Sequence, residues 1–430
     1  MMKKIVYSVI LILTAIQLTA QVQVNSNLKS LINQSFGYFP KVKEVENGIA
    51  AAKEKLEITQ TNLPSVDGNA SYNFVMPKIT LPLQINGETK DFQFAPVHNV
   101  NANITTSYML FDFGRLKANV EKAKYDLQYA THNVDLVKSQ LANQVAVIYY
   151  NIVYLRKAIF IQDSVLSYLN DNKQIIESKL KNGDAVRIDL LNIQSQYDAE
   201  QNRKVDLQNS LQKQLNLLNY TTGTTNTTDG NFDFDITLKD AGAALSDAQQ
   251  NNVDFILAKD KIQQALGDEN IAKLGTKPSV NIGAGVGIKN GYVPKVNEPR
   301  FNYDAGIALK IPIYDGGKTK RQVKLAQTII RQNELSVETL NSNYKKDIDQ
   351  ALTDIYSNLE RIKNTEGQIE LAKAAQILAA SRFKNGVGTN LEITNASTNV
   401  QRAELTRLQY EYQLCLAKLE IARLSGYQYW

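Results

Sequence analysis

The sequence predicts a mixed α and β membrane protein. It is internally duplicated, with four transmembrane β-strands per chain that lead into long α-helical coiled-coil hairpins. Three observations carry this reading. The chain matches itself at a fixed offset, two pairs of stretches alternate with period two, and a long heptad pattern follows each pair.

The repeat comes first because it orders everything else. "LFDFGRLK" (110–117) returns as "IYDGGKTK" (313–320), an offset of 203. "KLKNGDAVRIDLLN" (179–192) returns as "RFKNGVGTNLEITN" (382–395), and "LLNYTTG" (217–223) as "EIARLSG" (420–426), both again at 203. "LPSVDG" (63–68) meets "KPSVNI" (277–282) at 214, so the first copy carries 11 extra residues between these anchors. The division that follows is 1–20 leader, 21–223 first repeat, 224–250 linker, 251–426 second repeat and 427–430 tail.

The opening "MMKKIVYSVILILTAIQLTAQ" reads as a secretory signal peptide, with Lys3 and Lys4 as its charged region and cleavage after Ala20. Its apolar run of 14 residues is short for a span of ~20. The densest later run, "VAVIYYNIVYL" (145–155), ends at Arg156 and Lys157 and fits a buried stretch of a long helix.

Strands come next, at about 64–111 and 278–313. Val66, Gly68, Ala70, Tyr72, Phe74 and Met76 share one face, and Asp67, Asn69, Ser71 and Asn73 the other. Val100, Ala102, Ile104, Thr106, Tyr108 and Leu110 alternate with Asn and Thr in the same way. The second copy repeats this with Val280 to Ile288 and Tyr303 to Ile311. A soluble sheet with one wet face shows the same alternation. Strands of roughly ten residues behind a secretory leader favour a barrel. The connection 77–99 predicts an extended outer loop.

Asp112-Phe113-Gly114 invites comparison with the magnesium-binding tripeptide of protein kinases. Its repeat partner is Asp315-Gly316-Gly317, and the chain lacks a His-Arg-Asp catalytic loop. The junctions Asp112, Gly114, Asp315 and Gly317 therefore read as turns where a strand hands over to a helix. After them Leu116, Val120, Ala123, Leu127, Ala130, Val134, Val137 and Leu141 form a heptad seam, which resumes at Val145 after one stutter. The helix should run from 116 to about 180, ~100 Å. Turns at Asn182-Gly183 and Asn385-Gly386 reverse the chain into helices at about 188–220 and 391–424. Hairpins thus cover about 115–220 and 318–424. "TTGTTNTTDGNFDFD" (221–235) reads as a polar linker.

Composition excludes much else. There are 48 basic against 43 acidic residues, interleaved, so there is no nucleic-acid surface. The two histidines and one cysteine allow no metal cluster, and no activated serine or phosphate loop is present. "GAGVG" (283–287) lies inside a strand pattern with no helix after it. The expectation is a protein without enzymatic activity, cofactor or metal. Cys415 reads as a buried small hydrophobe.

Four strands cannot close a barrel, so the chain must oligomerise to span a membrane. Two copies give eight strands and a filled barrel; three give twelve and a lumen.

In order and double occurrence, "LPSV"/"KPSV", "LFDFG"/"IYDGG" and "KNGDAVRIDLLN"/"KNGVGTNLEITN" resemble the TolC family of outer-membrane efflux proteins. The resemblance implies a homotrimer in the outer membrane of a Gram-negative bacterium. Its 12-stranded barrel continues into a helical periplasmic tunnel. It also implies a periplasmic adaptor (membrane fusion protein) and an inner-membrane pump of RND or ABC type as partners, in efflux or type I secretion. The tips Asn182, Gly183, Asn385 and Gly386 would contact the adaptor. The pore constriction would lie at Glu392 and Asn395, with Asp189 and Asn192 second. Asp189 and Glu392 also fit as ordinary acids of a helix first turn. No cysteine follows the leader to take a lipid. The alternative from another class is a non-conducting coiled-coil envelope scaffold or adhesin, which has no use for a polar strand face.

Overall fold

In the computed structural model, residues 22–85, 87–226 and 230–430 are described; the leader lies outside them. The chain forms two compact units. The first comprises residues up to 48, 130–259 and 335–430, and the second 49–129 and 260–334.

The second unit holds a four-stranded antiparallel sheet of β2 (Ser65–Phe74), β5 (His98–Phe111), β7 (Ser279–Lys289) and β8 (Arg300–Lys310), in the order β2-β5-β7-β8. Its register aligns the alternating patterns of all four strands. Ala70 pairs with Ala102, Ala102 with Ile288 and Ile288 with Phe301, so one face is apolar from edge to edge. On the other, Asn69 pairs with Asn103, Asn103 with Gly287 and Gly287 with Asn302. A one-residue slip anywhere would mix the faces, so the pattern specifies the register.

Two features depart from the sequence reading. The alternation of β5 does not run through Leu110. A bulge lies between Met109, which pairs with Asn281, and Phe111, which pairs with Val280. The extra residue re-aims the strand just before the junction. The connection 77–99 is not only a loop: β3 (Thr80–Ile85) and β4 (Glu88–Gln93) form a separate hairpin. Gln93 Nε2 donates to Asn297 Oδ1 at 3.4 Å, joining it to the β7–β8 connection.

The first unit is mainly helical. Short strands β1 (Val22–Gln23) and β6 (Asp235–Ile236) pair with each other. Helix α1 (Ser26–Tyr38) starts at Asn25, whose side chain accepts from the Asn27 amide. Helix α2 (Pro40–Gln60) follows. Helix α3 (Arg115–Lys181) has 67 residues, about 100 Å at 1.5 Å per residue, and α4 (Arg187–Thr222) returns. Helices α5 (Ala241–Asn251) and α6 (Val253–Lys273) precede the second strand pair. Helix α7 (Lys318–Lys384), again 67 residues, and α8 (Asn390–Leu424) repeat the hairpin.

On α3 the seam residues Val134, Leu141, Val145, Ile148 and Ile152 are buried, but so are Ala142, Ala146, Tyr149, Tyr150 and Val153. The burial is wider than a heptad stripe because α1, the β1–β6 pair and the chain's last residues also pack there. Phe234, only 2 % exposed, belongs to this core. The stretch read as a polar linker is therefore anchored by its aromatics: the rings of Phe234 and Tyr429 meet edge-on at 5.5 Å. Cys415 is buried in the same core, and burial pushes its thiol up. No helix among the described residues is long and apolar enough to cross a membrane.

Candidate functional site

Three places inherit the sequence-predicted residues: the strand-to-helix junctions, the helical tips and the polar sheet face.

At each junction an aspartate builds the turn. Asp112 Oδ1 accepts from the Gly114 amide at 3.0 Å, and Oδ2 from the Leu116 amide. Asp315 Oδ1 accepts from the Gly317 amide at 2.9 Å, and Oδ2 from the Thr319 amide at 2.8 Å. Each carboxylate thus satisfies free donors at the start of a 67-residue helix, where negative charge is favoured. The Thr319 side chain, then its amide, hold the Asp315 carboxyl below its usual range. Gly114 and Gly317 take φ of 91° and 75°, values L-residues avoid. Phe113 takes φ 56°, a geometry the second copy assigns to Gly316. Its ring packs edge-on against Phe111 at 4.7 Å.

The tips are two matched turns. Gly183 (φ 82°) and Gly386 (φ 77°) follow the ends of α3 and α7, and nothing lies within 4 Å of where a Cβ would stand on either. Glycine is required there by conformation, and the space beside it is open. Asn182, Asn385 and both glycines are exposed. Beyond the second turn, Thr389 Oγ1 accepts from the Glu392 amide at 3.2 Å, capping α8. The Glu392 carboxylate stands 3.4 Å from Arg382 Nε, with both side chains about half exposed. Asp189 sits in the first turn of α4, and its carbonyl accepts from Asn390 Nδ2 at 3.3 Å. Asn192 and Asn395, each three residues on, are exposed. The structure thus puts the two acids at matched helix starts and gives only Glu392 a basic partner among the ion pairs of the described residues.

Sequence reasoning did not find the contacts that fasten one hairpin to the other. Lys179 Nζ donates to the Phe383 carbonyl at 2.6 Å and sits 4.6 Å from the centre of its ring. Farther along the hairpins, Glu200 is 5 % exposed. Its Oε2 accepts from Gln162 and Gln401, both at 2.8 Å, while Arg203 bonds Oε1 at 2.6 Å. Gln401 Nε2 also donates to Gln162 Oε1 at 3.0 Å. One signal pointed to this cluster: polar residues on the helices where a continuous apolar seam would be expected.

The polar sheet face carries Asp67, Asn69, Asn101, Asn103, Thr105, Asn302 and Asp304 around a column of glycines on β7. A Cβ on Gly287 would clash with the Ala102 carbonyl oxygen, whereas one on Gly283 would clear the Thr106 carbonyl oxygen at 3.6 Å. Close strand approach demands the first glycine and not the second. Among the described residues there is no cluster of His, Cys, Asp and Glu that could hold a metal.

With this geometry in place, comparisons with known proteins give one consistent answer. The family model described as "Outer membrane efflux protein" matches residues 31–224 and 244–427, one span for each copy. The outer membrane protein TolC of Escherichia coli is 22% identical over 423 residues, covering 90% of this chain and 83% of that protein. Among solved structures, CusC superposes with a TM-score of 0.78 at 17% identity, over 94% of this chain and 93% of that one. The outer membrane protein VceC of Vibrio cholerae does so with 0.76 at 16% identity, over 94% and 96%.

Proposed function

The chain belongs to the outer membrane efflux protein family, and from that footing we propose how its parts divide the task. It is an outer-membrane channel of a tripartite efflux system with a periplasmic extension, and not an enzyme. In our reading three copies make one channel. Their four-stranded sheets supply twelve strands, which close a barrel with the apolar face to lipid and the Asn- and Gly-rich face to a water-filled lumen. Asp112, Gly114, Asp315 and Gly317 turn each strand pair into its helical hairpin. A periplasmic adaptor docks at Asn182, Gly183, Asn385 and Gly386, and a pump of RND or ABC type in the inner membrane delivers the substrate. Glu392 and Asn395, with Asp189 and Asn192, narrow the tunnel near those tips.

The observation that carries the channel reading is the register of the sheet. It collects nearly all the large apolar residues of four alternating strands on one face, and on the other Asn, Gly, Ser, Thr and Asp predominate from β2 to β8, with Met109 and Ala308 as exceptions. A non-conducting scaffold gains nothing from a polar inner face. Purified protein in a planar bilayer should give discrete ion-conducting steps, and its mass in mild detergent should be that of three chains. Three-chain particles without conductance would overturn the channel; conducting particles of one or two chains would overturn the trimer.

A further inference from the structure

We propose that Lys289 and Arg300, side by side on the polar sheet face, form an anion-binding site at the outer mouth of the barrel, and that it takes a compact, multiply charged oxyanion of the phosphate type. The proposal rests on the reading above that this face lines a water-filled lumen, and it gives that lumen a class of solute.

The register sorts the charges of this face into separate rows. Asn101 lies opposite both Ser71 and Lys289, and Lys289 lies opposite Arg300, which makes one row across the four strands. Farther along, Thr105 lies opposite both Asp67 and Gly285, and Gly285 opposite Asp304. The first row holds two cations and no acid; the second holds two acids and no cation. Opposite charges across a strand pair stabilise it and like charges directly opposite destabilise it, so this sorting weakens the sheet. An anion held between the two cations offsets that loss. β7 ends at Lys289 and β8 begins at Arg300, so the basic row is at the end of the sheet remote from the junctions Asp112 and Asp315. In a channel of three copies, two cations from each would ring the outer mouth.

Nothing nearby neutralises the pair. Asp304 is four residues from Arg300 on β8, about 14 Å at 3.4 Å per residue. That exceeds the screening length of about 8 Å at physiological ionic strength. The Asp304 carboxylate lies over Gly285 instead, where a Cβ would stand 2.8 Å from its Oδ1. In the outer connections, Glu298 is 3.0 Å from Lys295 and Glu88 is 3.8 Å from Lys90. Asp91, Lys289 and Arg300 enter no ion pair among the described residues. Lys289 Nζ stands 5.4 Å from the centre of the Tyr292 ring, which holds the ammonium at the rim and leaves its donors unused. Beside it, Asn101 Oδ1 has no hydrogen-bond partner, so that amide can turn its Nδ2 toward an anion.

The ligand class follows from the two head groups. Directly opposed residues have Cβ atoms about 4.5–5.5 Å apart, so both heads reach one phosphate group. The guanidinium offers paired N–H donors that match two of its oxygens, and the ammonium adds a compact charge. A doubly charged oxyanion balances the pair, whereas chloride leaves one cation uncompensated. Ile288 and Phe301, the sequence neighbours that pair with each other, belong to the apolar face. Lys289 and Arg300 are therefore turned from lipid toward solutes in the lumen.

The test uses the full-length protein in neutral detergent, with inorganic pyrophosphate as probe and equilibrium dialysis at fixed salt as readout. Pyrophosphate should bind saturably. Lys289→Gln and Arg300→Gln should each weaken binding at least about tenfold, the loss expected of one charged hydrogen bond. Lys310→Gln, at the opposite end of the same face, should leave it unchanged. Binding that both variants retain, or none by wild-type particles that conduct in a bilayer, would overturn the site. Stability separates binding from a structural role. Without pyrophosphate both variants should unfold at the wild-type temperature or above, because each relieves repulsion. Pyrophosphate should raise the midpoint of the wild type and of neither variant. A lowered midpoint in both variants without ligand would make the pair structural and overturn the proposal. Phosphatidylglycerol added to the micelles should not displace pyrophosphate; displacement would overturn the lumenal solute in favour of a lipid phosphate. Particles that bind pyrophosphate but never conduct would overturn the channel reading and uphold the site.

Discussion

Single side chains decide the ends of the long helices. Asp315 has a carboxyl held below its usual range by Thr319, so its cap is fully present above the ordinary carboxylate value of about 3.9. It is lost as pH falls through the depressed folded value. The protection of the Gly317 and Thr319 amides, both donors to that carboxylate, measured against intrinsic exchange at each pH, should therefore fall on acidification below about pH 4. Unchanged protection would mean the cap does not hold the helix start. At the tips, Glu392→Gln removes the ion pair with Arg382 and should shift bilayer selectivity away from cations. Asp189→Asn should do less. The opposite ranking would place the first copy's returning helix nearer the pore, and no effect from either would leave both acids as first-turn residues.

At the scale of elements, strand and helix respond to different rules. Gly287→Ala pushes a methyl into the Ala102 carbonyl oxygen of the neighbouring strand, while Gly283→Ala meets an ordinary contact at 3.6 Å. Folded yield should fall sharply for the first and hold for the second; equal yields would show that β7 can shift to make room. Among the helices, Gln401→Leu removes a donor from a buried carboxylate and should cost about 1–3 kcal/mol, read as a lower unfolding midpoint. Gly386→Trp places its Cβ in open space, and its backbone cost of about 1–2 kcal/mol is local. It should abolish export without changing trimer yield; normal export would remove the tips from the adaptor interface. The sequence made the long elements legible because their periods are strict: the heptad reading of 116 to about 180 meets a helix at Arg115–Lys181. It did not reveal the bulge at Leu110, since one extra residue breaks no pattern that an exposed apolar side chain can report. Nor did it reveal the bond from Lys179 to the Phe383 carbonyl, because a backbone acceptor leaves no trace in residue type. The buried place of Phe234 was hidden by its polar neighbours.

For the whole molecule, two chemically different copies serve one symmetric purpose. α3 and α7 differ along most of their surfaces, with Lys122 and Asp126 in one where Leu325 and Ile329 stand in the other, yet both have 67 residues. Composition has drifted while length has not. The wall of the hairpins keeps its length through such exchanges of residue type, whereas a single inserted turn in one copy would carry its tip about 5.4 Å past the other. Gains and losses of residues in these helices should therefore arise in pairs, one in each half of the gene, while unpaired ones are removed. Among descendants of this duplication, the count of residues between junction and tip should prove the inherited quantity, and the residues themselves the variable one.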